Sequence, residues 1–118
     1  MTLQYIDWDI GEVTVINLIG RVTLGQGTQC LRQSIEDVLE RGRLRILLNF
    51  DEVFYVDSSG LGELVSALRR VTAAGGQLKL MKLNKITRDL IQTTRLYTVF
   101  EVFDREEPAL ASFRAPAA

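Results

Sequence analysis

The residues best suited to chemistry lie together in Val56-Asp57-Ser58-Ser59-Gly60-Leu61-Gly62, where a carboxylate is followed by two hydroxyls and two glycines. Behind them Leu61, Leu64, Val65, Leu68 and Val71 recur at helical spacing, so the segment reads as the start of an amphipathic helix. Asp57, Ser58 and Ser59 offer short side-chain oxygens to the orphan amides of that first turn, and on residue types alone a helix cap is the commoner use of such a trio. The same residues allow a second use. A hydroxyl at an open helix N-terminus is well placed to carry a phosphate, because free amides and the helix dipole both favour negative charge there. Gly60 and Gly62 remove the side chains that would keep another molecule from the backbone.

Other chemistries fail for want of parts. The chain has no histidine and a single cysteine, Cys30. Serine and cysteine triads that rely on histidine, a phosphohistidine relay and histidine-bearing metal sites are therefore excluded, and a zinc site would have to be mostly carboxylate. Ser58 does not sit in a nucleophile elbow, since Val56 occupies the first glycine position of G-x-S-x-G. The glycine-rich stretch Gly20 to Gly27 lacks the G-K-[ST] of a P-loop, and Val65 stands where a dinucleotide fingerprint begun at Gly60 needs its third glycine. The expectation is a binding protein rather than an enzyme, with no metal and no cofactor of its own.

Composition narrows the partners. A formal charge of -1, a pI near 5.4 and scattered basic residues leave no footprint for nucleic acid. No apolar run approaches the ~20 residues that span a bilayer, and Met1 is not followed by a secretion leader. A lone cysteine suits a reducing cytosol, so the expected location is cytoplasmic, and Cys30 reads as a small buried or half-buried residue near a helix start rather than a reactive thiol.

The elements that must hold the Asp57-Ser58 segment follow from periodicity. All 118 residues fit one domain. Leu3 to Trp8 and Glu12 to Ile19 read as a hairpin turning at Ile10-Gly11, with Trp8 packed at the strand end and the second strand bulged or buried on both faces. Gly20 to Gly27 reads as a turn-rich loop. Thr28 to Arg41 is a helix with Leu31, Ile35, Val38 and Leu39 inward and Gly42 as its stop. The continuous apolar run Leu44 to Phe50 suits a strand covered on both faces. The helix after Asp57 runs to about Ala74, Gln77 to Met81 is a strand, and Asn84 caps a helix through Thr94 with Ile86, Leu90 and Ile91 inward. Val99 to Phe103 is the last strand. In the final helix, anchored by Leu110 and Phe113, Asp104 and Glu107 have capping-box spacing, yet Pro108 fits the first helical position, which would make Glu107 the cap instead. A tail beginning at about Phe113 or Arg114 is expected to fray. This β-β-α-β-α-β-α-β-α alternation predicts an α/β fold: a mixed sheet of about five strands, parallel after the opening hairpin, with about four helices. Ligands of such sheets gather at the carboxyl ends of strands, where Asp57-Ser58 lies.

Asp57-Ser58-Ser59-Gly60-Leu61-Gly62, with Leu47-Leu48-Asn49-Phe50 before it and Gly75-Gly76 ahead of the next strand, resembles the signature of the STAS domain family, in particular the bacterial anti-sigma-factor antagonists. The resemblance runs from about Val13 to Phe113 and implies the fold just described. It also implies that Ser58 accepts phosphate from a partner serine kinase that doubles as an anti-sigma factor. Asp57 would shape the acceptor loop, Ser59 would assist the cap, and Gly60, Leu61 and Gly62 would meet the partner. The unphosphorylated protein would bind the kinase and free a sigma factor; phosphorylation would reverse this, and a serine phosphatase would reset it. ATP and magnesium would belong to the kinase. One departure stands out: the family usually carries an acidic pair, Gly-Glu-x-Asp, after its second strand, where this chain has Gly20-Arg21-Val22-Thr23. Arg21 and Thr23 would then steady a phosphate or mark a different partner surface, unless Arg21 is simply an exposed turn residue. The alternative expectation is a STAS module that works in another signalling complex without phosphorylation.

Overall fold

The structure, a computed structural model, describes residues 2–114. In chain order the elements are β1 (Gln4–Ile10), β2 (Val13–Val22), α1 (Gln26–Glu40), β3 (Arg45–Val56), α2 (Ser58–Ala73), β4 (Gln77–Met81), α3 (Lys85–Thr93), a single 3-10 turn (Leu96–Thr98), β5 (Val102–Phe103) and α4 (Glu106–Arg114). The five strands form one sheet in sequential order; β1 is antiparallel to β2, and every later neighbour is parallel.

That order decides which face each helix takes. Three successive right-handed crossovers advancing in one direction put α1, α2 and α3 on the same side of the sheet. The alternation of strand side chains matches. Ile16, Leu18, Ile46, Leu48, Phe50, Leu78 and Leu80 face those helices in the larger core, whereas Val13, Val15, Leu47 and Met81 face the other way, under Ala109 and Phe113 of α4. Both faces being covered is what the unbroken apolar run of β3 and the imperfect alternation of β2 signal. The bulge expected in β2 is present too, as register shifts between Asn17 and Ile19 and between Gly20 and Arg21. Lys79, the polar residue of β4, is buried on the α4 side; its ammonium donates to Ser112 Oγ at 3.0 Å, pairs with Glu101 at 2.9 Å and lies over the Phe113 ring.

Several boundaries differ from the expectations above, each for a local reason. The stretch from Gly20 to Gly27 is mostly not loop: β2 runs to Val22 and α1 begins at Gln26. Gly20 stays in the strand at φ +122°, where a Cβ would lie 2.1 Å from the Thr2 carbonyl oxygen. The chain β3 continues past Phe50 to Val56, because the shift at Gly20/Arg21 keeps the pairing with β2 going. The last strand shrinks to Val102–Phe103 after the 3-10 turn, with Phe100 3 % exposed in the larger core. Helix α4 starts at Glu106, so Glu107 lies inside it rather than capping it and Pro108 is third; the missing proline N–H is still among those without an intrahelical acceptor. Asp104 pairs with Arg88 rather than forming a capping box with Glu107. Phe113 is buried and Arg114 closes α4, so the frayed tail does not include them; residues 115–118 lie outside the described residues. Trp8 is not packed away but 39 % exposed.

Candidate phosphoacceptor site

Asp57 is the junction between β3 and α2. Its extended backbone (φ -91°, ψ -179°) makes it the N-cap, and its two carboxylate oxygens are divided between two elements. Oδ1 accepts from Gly60 N–H at 2.7 Å and so closes the first turn of α2. Oδ2 accepts from Leu24 N–H at 3.1 Å and so ties that turn to the loop between β2 and α1. The Asp57 N–H donates to the Val22 carbonyl at 3.2 Å, continuing the β2–β3 ladder by one bond. The carboxylate therefore holds two loops together, and the cap is its work alone: Ser59, expected to assist, is half-buried and takes no part in it.

Ser58 is the first residue of α2 and is exposed. Neither its amide nor that of Ser59 has an acceptor among the described residues, since Gly60 takes Asp57 Oδ1 and Leu61 takes the Asp57 carbonyl. The hydroxyl thus stands in solvent beside two free N–H groups at the positive end of a 16-residue helix. A phosphate formed there would find donors already in place.

The two glycines do different things. A Cβ on Gly60 would lie 2.0 Å from the Val22 carbonyl oxygen, so this glycine lets α2 press against the end of β2 and is buried. Gly62 has open space around it and is exposed. Leu61 is 5 % exposed and belongs to the larger core. Of the glycine-leucine-glycine trio expected to meet a partner, only Gly62 is accessible; the apolar stripe of α2, which includes Leu61, carries the signal for the rest.

Arg21 is exposed and stands opposite Tyr55 in the β2–β3 register, next to the Val22/Val56 pair whose side chains enter the core. By strand alternation Arg21 and Tyr55 face away from α1 and α2. Thr23 is half-buried, and its carbonyl accepts from Thr28 N–H at 3.0 Å in the entry to α1. Four exposed apolar residues lie on the segments that meet near the junction: Leu24 at 76 %, Phe54 at 56 %, Tyr55 at 45 % and Ile86 at 61 %. Ile86, expected to face inward, does not, because the buried stripe of α3 runs through Thr87 and Ile91, one position round the helix. Asn84 explains how Ile86 arrives there. Its side-chain oxygen caps α3 at Thr87 N–H, and its amide donates to the carbonyls of Val53 and Phe54. The available signal was an apolar residue beside a turn, which periodicity cannot separate from core.

A little further along α2, Glu63 is buried between two arginines, Arg32 of α1 and Arg70, each at 2.9 Å. Burial pushes its carboxyl up, but the hydrogen bonds and charge of the two guanidinium groups outweigh this and hold it below the usual glutamate value. The cluster locks the seam between α1 and α2. Among the described residues no group of three or more Cys, Asp or Glu side chains is arranged to hold a metal ion, and no helix is long and apolar enough to cross a membrane.

Comparison with known proteins bears on the family and the fold. The sequence model of the STAS domain matches residues 9–109. The anti-sigma-B factor antagonist of Bacillus subtilis is 31% identical over 93 residues, which span 78% of this chain and 83% of that protein. An anti-sigma factor antagonist from Mycobacterium paratuberculosis has a structure similar at a TM-score of 0.85 and 20% identity, covering 97% of this chain and 96% of that one. The Bacillus cell fate determinant SpoIIAA, solved in its phosphorylated form, is similar at a TM-score of 0.70 and 23% identity, covering 92% of this chain and 98% of the other.

Proposed function

The chain belongs to the STAS domain family, and from that premise we propose that it is an anti-sigma-factor antagonist switched by phosphorylation of Ser58. In this reading the unmodified protein binds an anti-sigma factor that is also a serine kinase. Transfer of phosphate to Ser58 releases it, and a serine phosphatase restores it. Arg21, Thr23, Gly62 and the ring of Leu24, Phe54, Tyr55 and Ile86 supply the docking surface. Asp57 acts indirectly, by holding the two loops that frame the hydroxyl. The single observation that carries the reading is the exposed Ser58 hydroxyl beside two unbonded amides at the N-terminus of α2.

The energetics suit a switch that leaves the fold alone. A phosphate adds roughly -1.5 to -2 charges, and at a helix N-terminus a negative charge gains about 0.3–1 kcal/mol. The free protein therefore keeps its structure. In a closed interface the same group loses its water, at a cost of several kcal/mol unless it is fully paired. Weakening a partner from micromolar to millimolar takes only about 4 kcal/mol.

Incubation with the anti-sigma-factor serine kinase of the same cell and ATP-magnesium, followed by peptide mass spectrometry, tests the proposal. The expected result is one phosphate on Ser58 and none on the Ser58→Ala protein. A chain that binds the kinase yet is never modified would instead be an interaction module that works without phosphorylation.

A further inference from the structure

The two edges of the sheet are treated very differently. At one edge β5 is two residues long and runs directly into Asp104, the short charged ending that discourages strand addition. At the other, β1 is a seven-residue strand without Pro, Gly or Lys, and among the described residues its only strand neighbour is β2. Its acidic residues do not guard that edge, because Arg41 already pairs with Asp7 at 2.9 Å and Arg43 with Asp9 at 3.4 Å. On the opposite face of the strand Ile6 is 56 %, Trp8 39 % and Ile10 38 % exposed; of the three, Ile10 lines a cavity shared with Leu110 and Phe113 of α4.

From this unguarded edge we propose that β1 pairs with β1 of a second copy of this chain, antiparallel about a two-fold axis, joining two five-stranded sheets into one of ten. Identical strands added antiparallel form an isologous contact, which closes at two copies. The turn at Gly11-Glu12 settles which atoms take part. Its two-residue length makes Ile10–Val13 a hydrogen-bonded pair, so by alternation the main-chain groups of Tyr5, Asp7 and Asp9 point to the open edge. With the axis at Asp7, the midpoint of the strand, those three residues bond to Asp9, Asp7 and Tyr5 of the other copy. Ile6 and Trp8 then face each other across the close, non-hydrogen-bonded positions, in one apolar stripe. The two Asp7 carboxylates fall at the wider positions, each already neutralised by its Arg41. Seven paired residues and three partly exposed apolar side chains per copy bury on the order of 1,000 Å² in total, just below the ~1,200–2,000 Å² of stable specific interfaces. The area argues for a weak, reversible dimer. The edge lies away from the Ser58 junction, so the dimer does not depend on the phosphorylation switch.

Sedimentation velocity of the full chain from low micromolar to high hundreds of micromolar tests this. The sedimentation coefficient should rise toward that of a dimer, Ile6→Lys should weaken association at least tenfold, and Tyr97→Lys, in the exposed 3-10 turn ahead of β5, should leave it unchanged. Amide hydrogen exchange on the unmodified chain reads the same contact without a substitution: Tyr5, Asp7 and Asp9 should gain protection as concentration rises. A monomer at every concentration, a dimer indifferent to Ile6→Lys, or association with no new protection at those three amides would overturn the proposal. Should Ile6→Lys fail to fold, the exchange result alone decides.

Discussion

At the scale of single residues the junction rests on contacts that substitution can separate. Gly60→Ala drives a methyl into the Val22 carbonyl, and neither backbone can yield easily. A loss of about 3 kcal/mol is expected, the upper end of overpacking costs, read as a shift in the urea midpoint. Gly62→Ala is the contrast: with open space around an exposed helical position it should stabilise by ~0.5–1 kcal/mol. Asp57→Ala removes both the cap of α2 and the tether to Leu24, and should cost about 1–2 kcal/mol while loosening the loop before α1. Asp57, Ser58 and the stripe behind them were legible because a cap and an amphipathic helix are local patterns. The division of labour between Gly60 and Gly62 was not. Two identical residues two positions apart differ only in what the rest of the fold brings near them.

Among the elements, α1 and α2 are joined by the Arg32–Glu63–Arg70 cluster, and the sign of its pH dependence follows from Glu63. Its folded pKa lies below the unfolded value, so the stabilisation is present above the usual glutamate range and is lost as pH falls through the lowered value. Glu63→Gln should cost about 2 kcal/mol near neutrality, the scale of a charge-assisted hydrogen bond, and the gap from the unmodified protein should close in acid. A second tie joins β1 to α1. Tyr5 Oη donates to Asp37, and that hydrogen bond, with burial and the nearby charge, raises the Tyr5 pKa to about 12. The stability that this bond lends is complete below the ordinary tyrosine value and fades as pH climbs toward 12. In an ultraviolet titration one of the three tyrosines should ionise late, and Tyr5→Phe should remove that step. Element types were readable from periodicity, and Gln77–Met81 and the Asn84 cap match as expected. Element ends were less so. The extension of β3 to Val56 is decided by pairing with a distant, bulged β2, and the shortening of β5 by the burial of Phe100.

For the whole molecule, one consequence of the sheet order matters most. Three crossovers on one face leave the other face to the nine-residue α4, which covers the middle of the sheet and leaves Ile6 and Trp8 of β1 exposed. The Ser58 junction stands at the carboxyl ends of β2 and β3, framed by loops that Asp57 and Asn84 fasten to the strands. Adding charge to a site held so firmly should change what can dock and not how the chain folds. The direct test is a calorimetric comparison of the Ser58-phosphorylated chain with the unmodified one, titrated against the anti-sigma-factor kinase, alongside amide spectra of both free forms. The expected result is an affinity lower by about a hundredfold or more, equivalent to ~3 kcal/mol, with spectral changes confined to the start of α2 and the loop at Leu24. Equal affinity for the two forms, or a spectrum rearranged throughout the sheet, would contradict the account.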